Sequence, residues 1–88
     1  MENRRIRFGE LRGVLSQIDR VSVCRKETME YTNYLSVKDV PREYDDFWVY
    51  GVGMIESEFY CVGKGKYAVS GDIKDLAMVK CLEVVVGE

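Results

Sequence analysis

Residues 47–55 read FWVYGVGMI, and this run decides the fold. Trp48, Tyr50, Val52 and Met54 fall on one side of an extended chain, and Phe47, Val49, Gly51, Gly53 and Ile55 on the other, which is the two-residue period of a β-strand. Apolar side chains on both sides predict a strand in the middle of a sheet. Gly51 and Gly53 share one side, where they leave a shallow groove or let a helix or neighbouring backbone approach closely.

Toward the N-terminus, Asp39-Val40-Pro41 stops a preceding strand, because the residue before proline avoids the helical region, and proline then suits the start of a short helical turn over 42–46. Residues 31–37 alternate as a strand, with Tyr31, Asn33, Leu35 and Val37 opposing Thr32, Tyr34 and Ser36. Residues 20–26 form another, with Val21 and Val23 opposing Ser22 and Cys24, and a turn around Thr28-Met29-Glu30 joins the two as a hairpin. Phe8, Leu11, Val14, Leu15 and Ile18 recur at helical spacing, so an amphipathic helix of about three turns opens the domain. Gly13 weakens it by about 1 kcal/mol relative to alanine, tolerable if the apolar stripe docks on a sheet. Residues 1–7 read as a frayed or irregular lead-in.

Toward the C-terminus, Glu56-Ser57-Glu58 reads as a turn, residues 59–62 as a short strand, Gly63-Lys64-Gly65-Lys66 as a loop and 67–69 as extended before Ser70-Gly71. Asp72 suits a helix N-cap, with Asp75 three positions on, for one or two helical turns over 72–78. Residues 80–86 form the closing strand. The chain therefore reads as one domain over 1–88 of α+β class: an N-terminal amphipathic helix followed by a four- to five-stranded, mainly antiparallel sheet or small open barrel.

The 88 residues hold 13 Lys and Arg against 15 Asp and Glu, no histidine, three cysteines and one proline. The length allows one core, since chains this short bury only about 60% of their unfolded surface. Lack of histidine removes the Ser-His-Asp and Cys-His nucleophile systems and imidazole metal sites. The net charge of −2 does not favour nucleic acid, which needs Lys and Arg clustered on one face. Charge is uneven: 31–60 carry two basic and six acidic residues. The Arg4-Arg5-Arg7 start and the 42–46 acidic turn are candidate contacts for a partner, or else solvated surface. Cys24, Cys61 and Cys81 are odd in number, far apart and in apolar stretches, so they read as free, buried thiols in a reducing cytoplasm. No signal peptide or membrane span is visible, and neither a membrane partner nor a cofactor or metal is expected.

Gly51-x-Gly53 and Gly63-x-Gly65 match neither the Walker nor the dinucleotide-binding spacing. Gly63–Lys66 is either a simple turn or an open loop presenting Lys64 and Lys66 to an anion. Six tyrosines and one tryptophan exceed what a small core requires. Tyr34, Trp48, Tyr50 and Tyr60 therefore form core, subunit interface or a stacking platform for a base. The pairs Asp45-Asp46 and Glu56-Ser57-Glu58 lie in charged turns, where both carboxyls stay ionised and no acid–base division arises. No enzyme is read from these residues.

The order Phe8-Gly9-Glu10-Leu11 in an opening helix, Val21-Ser22-Val23 in the first strand, Val37-Lys38-Asp39-Val40-Pro41 before an acidic turn, the 48–55 strand and the closing Leu82-Glu83-Val84-Val85-Val86 resembles small uncharacterised proteins of phages and mobile elements of Firmicutes. The resemblance covers most of the chain as a rhythm of elements, carries no diagnostic catalytic residue and departs across 56–80. It implies a counter-defence role in the bacterial host's cytoplasm, either as an oligomeric sponge for a nucleotide-like immune signal or as an inhibitor of a host protein. For the sponge, Tyr34, Trp48, Tyr50 and Tyr60 would shape a pocket between copies of the chain, and Lys64, Lys66 and Arg25 would meet phosphate. For the inhibitor, Glu43, Asp45, Asp46, Glu56 and Glu58 would cover a basic surface on a nuclease or polymerase.

Overall fold

The N-terminal apolar spacing folds as helix α1, Phe8–Leu15, in a computed structural model that describes residues 5–88. Arg4 and the start of the lead-in lie outside the described residues. Phe8, Leu11 and Arg12 are buried along one stripe, while Val14 is 78% exposed. The helix is shorter than the three turns expected because Ile18 is drawn out of it: its N–H donates to the Leu15 carbonyl at 3.0 Å and its own carbonyl accepts from Val37 N–H at 3.3 Å.

Strands β1, Asp19–Arg25, and β2, Glu30–Ser36, form the expected hairpin, with Val21 opposite Tyr34. Both Thr28 and Met29 N–H donate to the Arg25 carbonyl, and Met29 takes a left-handed φ of 58° to make the turn. Two 3-10 segments, Val37–Asp39 and Arg42–Asp46, flank Pro41. Strand β3 runs unbroken from Trp48–Gly63. The expected turn at 56–58 is absent because the two-residue alternation continues through it: Glu56 faces Lys80 and Glu58 faces Met78 on the neighbouring strand. A tight turn at Gly65, φ 70°, leads into β4, Lys66–Ala68. The Asp72 carboxylate then accepts from Lys74 N–H at 3.2 Å and caps a single 3-10 turn, Ile73–Asp75. Strand β5, Leu76–Gly87, takes up residues expected to be helical.

The sheet order is β2-β1-β5-β3-β4. Three pairings are antiparallel, but β1 and β5 run parallel, with Val21 opposite Leu82 and Val23 opposite Val84. The sheet is therefore mixed, not mainly antiparallel, and its middle strand is β5, not the 47–55 run. Periodicity reports which face a side chain occupies and is silent on strand direction. A bulge between Val49 and Gly51 also shifts the register, so Val49 joins Val52 and Met54 on one face instead of opposing them.

The main core lies between this face and α1, built from Phe8, Leu11, Val21, Val23, Val37, Val40, Val49, Val84 and Val86. Full burial of each such valine contributes about 1.5–3 kcal/mol. The opposite face also buries Ser22, Cys24, Phe59 and Cys81. It is screened because the sheet curls until β2 meets β3: Asn33 Nδ2 donates to the Glu58 carbonyl at 2.6 Å, and Ser57 Oγ donates to Asn33 Oδ1 at 3.2 Å. No backbone ladder closes this seam among the described residues, so the sheet stays open. All three thiols are free, and Cys24 and Cys81 are buried. Cys61, expected to be buried, is exposed: it lies beyond the last β3–β5 pair, Tyr60 with Leu76, where only β3 and β4 remain. No helix among the described residues is long and apolar enough to cross a membrane.

Candidate functional site

Where β3 begins, three ring-bearing residues meet four cations. Phe8 N–H donates to the Phe47 carbonyl and Val49 N–H to the Ile6 carbonyl, both at 2.8 Å, which ties the lead-in to the outer edge of β3. This pairing sets the Arg7 guanidinium 4.0 Å from the centre of the Trp48 ring and Arg5 4.6 Å from that of Tyr50. From the other side, the end of β1 delivers Arg25 to within 4.8 Å of the Phe47 ring and the Lys26 ammonium to within 4.9 Å of Tyr50. Each contact is worth about 0.5–1 kcal/mol when exposed, so the rings hold the cations in place without neutralising them.

Two carboxylate-bearing residues temper this charge. Glu27 Oε2 accepts the Glu88 backbone N–H at 3.0 Å, and that bond, with Arg25 and Lys26 nearby, holds its carboxyl below the usual range. The Tyr50 hydroxyl donates to the Glu88 carbonyl at 3.2 Å. Arg5, Trp48, Tyr50 and Glu88 line a cleft of about 330 Å³. Arg25 lies on the α1 face with Phe47, its Nη2 3.8 Å from Glu27 Oε1, and its buried Nε has no hydrogen-bond partner among the described residues. A buried arginine N–H without a partner carries a desolvation cost that nothing among the described residues offsets.

The residues singled out in the sequence do not form one pocket. Trp48, Tyr50 and Arg25 come together here, but Lys64 and Lys66 stand on the β3–β4 turn at the far end. The intervening length of β3, at about 3.3 Å per residue, spans most of the molecule's 47 Å. Tyr34 packs against the main core, where burial first and neighbouring Tyr44 second push its phenol up. Tyr60 lines the groove along the β2–β3 seam, about 770 Å³, with Tyr31, Asn33, Glu56, Glu58 and Glu83. The acidic set also divides. Asp45 is held by Arg12 at 2.7 Å and Arg42 at 3.6 Å, far from the seam glutamates. Lys26 and Phe47 were not anticipated as site residues, and Arg5 and Arg7 only as part of a basic start that could meet a partner. Their only signal was basic residues at 5, 7, 25 and 26 around an aromatic pair at 47–48, and the pairing that joins them is non-local.

In the seam groove the Tyr31 hydroxyl donates to Glu83 Oε2 at 2.9 Å. The Glu83 carboxylate, then Cys24, pushes the Tyr31 phenol up to about 12. Since the folded value lies above the ordinary 10.0, the unfolded chain loses this proton first. The contribution to stability is complete below pH 10 and drains away as pH rises toward about 12. In an alkaline titration followed by tyrosinate absorbance, one late phenol is expected to vanish in Tyr31→Phe; loss of a phenol that titrates in the ordinary range instead would contradict the pairing.

No protein-family model, no curated protein and no solved structure matches this chain.

Proposed function

We propose that this chain is a non-enzymatic binding protein that holds a nucleotide-like anion at the Trp48 end of β3. The observation that carries the reading is the set of four cations stacked on three aromatic rings where β3 begins. A base stacks on Trp48 or Tyr50, which contributes about 1–3 kcal/mol, while Arg7, Arg25 and Lys26 meet phosphate. Lys64 and Lys66 have no part in this version, since they lie at the other end of the molecule. Together with the resemblance to small phage and mobile-element proteins, the site fits a counter-defence sponge acting as a small oligomer in the cytoplasm of a bacterial host.

Trp48 is the sole tryptophan, so its fluorescence reports on this site alone. Mononucleotides and cyclic dinucleotides titrated into the untagged protein are expected to change that signal saturably. Arg25→Ala weakens the binding about tenfold, the value of one charge-assisted hydrogen bond, whereas the Lys64→Ala, Lys66→Ala double variant leaves it unchanged. Silence with every nucleotide, combined with no nucleotide-mass species released by heating the purified protein, would end this reading.

A further inference from the structure

We infer that a second copy of this chain docks antiparallel on the outer edge of β3, between Tyr50 and Glu56, to make a two-fold dimer. Strand β3 is covered on its outer side by Ile6–Phe8 at one end and by β4 from Tyr60 onward at the other. Among the described residues, no backbone group pairs with that edge in between; the Asn33 side chain meets the strand beyond it, at Ser57 and Glu58. Folded proteins protect such an edge with lysine, proline or a short strand. Residues 51–55, Gly-Val-Gly-Met-Ile, contain none of these.

The side chains of this stretch are those of an interface. Val52 is 51% exposed and Met54 68% exposed, apolar side chains at the exposed positions of the strand's alternation, which Glu56 and Glu58 continue. A Cβ added at Gly53 would meet nothing within 4 Å, and its φ is not left-handed. Nothing inside the protomer requires glycine there, and bare backbone in the middle of an open edge suits the approach of a second backbone. The partner's identity follows from charge. One end of the edge carries Arg5, held over Tyr50, and the other carries Glu56 and Glu58, both exposed. A two-fold axis at Gly53 sets Gly51 opposite Ile55 and Val52 opposite Met54, and brings each Arg5 toward the partner's acidic end. An edge that is cationic at one end, anionic at the other and apolar between is complementary to itself in the antiparallel sense. A foreign strand would need the same pattern. The dimer does not depend on the nucleotide reading, since it uses the edge of β3 and not the ring faces.

The test is sedimentation velocity of the full chain over a concentration series, with circular dichroism to follow folding. The wild type is expected to pass from monomer to dimer. Met54→Lys replaces an exposed side chain, keeps the fold and weakens association at least tenfold, because two ammonium groups then lie diagonally across the axis on one face. The Glu56→Lys, Glu58→Lys variant also dissociates, and adding Arg5→Glu restores the dimer by exchanging the two ends. A wild type that stays monomeric throughout, or a dimer indifferent to both Met54→Lys and the charge exchange, overturns the inference.

Discussion

Arg12→Ala is expected to cost about 3–5 kcal/mol, a large share of the roughly 5–15 kcal/mol that holds a small domain together. Arg12 sits on α1, is only 5% exposed and behaves as a core residue. Its Nε donates to Asp45 Oδ1 at 2.9 Å, Nη1 to the carbonyls of Val37 at 3.1 Å and Lys38 at 3.3 Å, and Nη2 to the carbonyl of Pro41 at 3.1 Å. One planar fork thus gathers both 3-10 segments of the β2–β3 connection onto the helix. Removing it strands three carbonyls and a carboxylate, whose desolvation is no longer offset. Lysine does not substitute, because a single ammonium cannot reach donors in this geometry. Asp45→Asn costs less, since Asp45 is partly exposed and the carbonyl bonds survive. Urea unfolding midpoints check the series; a loss below about 1 kcal/mol for Arg12→Ala would mean that the fork behaves as a surface ion pair.

Phe59→Ala is expected to cost about 3–5 kcal/mol, the usual range for a fully buried phenylalanine. Phe59 lies on the face away from α1, opposite Ala77 in register, and is fully buried. That burial sits next to the point where the sheet curls and Asn33 bridges β2 to β3 at Ser57 and Glu58. Were the concave side an open trough, the same change would cost little, so thermal denaturation of Phe59→Ala measures the curl directly. Asn33→Ala, which removes the bridge and leaves the ring, should reproduce part of the loss.

Local chemistry made much of this architecture legible. The spacing of Phe8, Leu11 and Leu15, the hairpin strands around Val21 and Val23 and the short helical turn after Pro41 each act over a few residues and appear in the structure, and Asp72 does cap a turn, though only Ile73–Asp75 and not the helix read over 72–78. What escaped was non-local. The parallel alignment of β1 with β5 joins residues about sixty positions apart and leaves no mark on either strand's periodicity. Glu56-Ser57-Glu58 resembles a turn by composition, yet keeps the period of a strand. Arg12 reads as part of a polar helix face because its acceptors lie 25–33 residues away. The candidate site followed the same division. Its residue types, aromatic and cationic, were evident, but which tyrosines and lysines share a place depends on the unbroken length of β3. That length separated Lys64 and Lys66 from Trp48 and let Arg7 and Lys26 take their part.

The middle position of β5 also has a consequence for synthesis. The strand that joins the β1–β2 hairpin to the β3–β4 hairpin is the one made after all the others. A nascent chain stopped before residue 76 holds two hairpins with uncovered flanks and no backbone ladder between them, only the Asn33 contacts of the seam, and two-stranded units are marginal in water. The pairings that join the two hairpins into one sheet therefore wait until residues 76–87 have been made. Prematurely ended products would present bare strands to chaperones and proteases, so messages cut short in this region should yield no stable fragment.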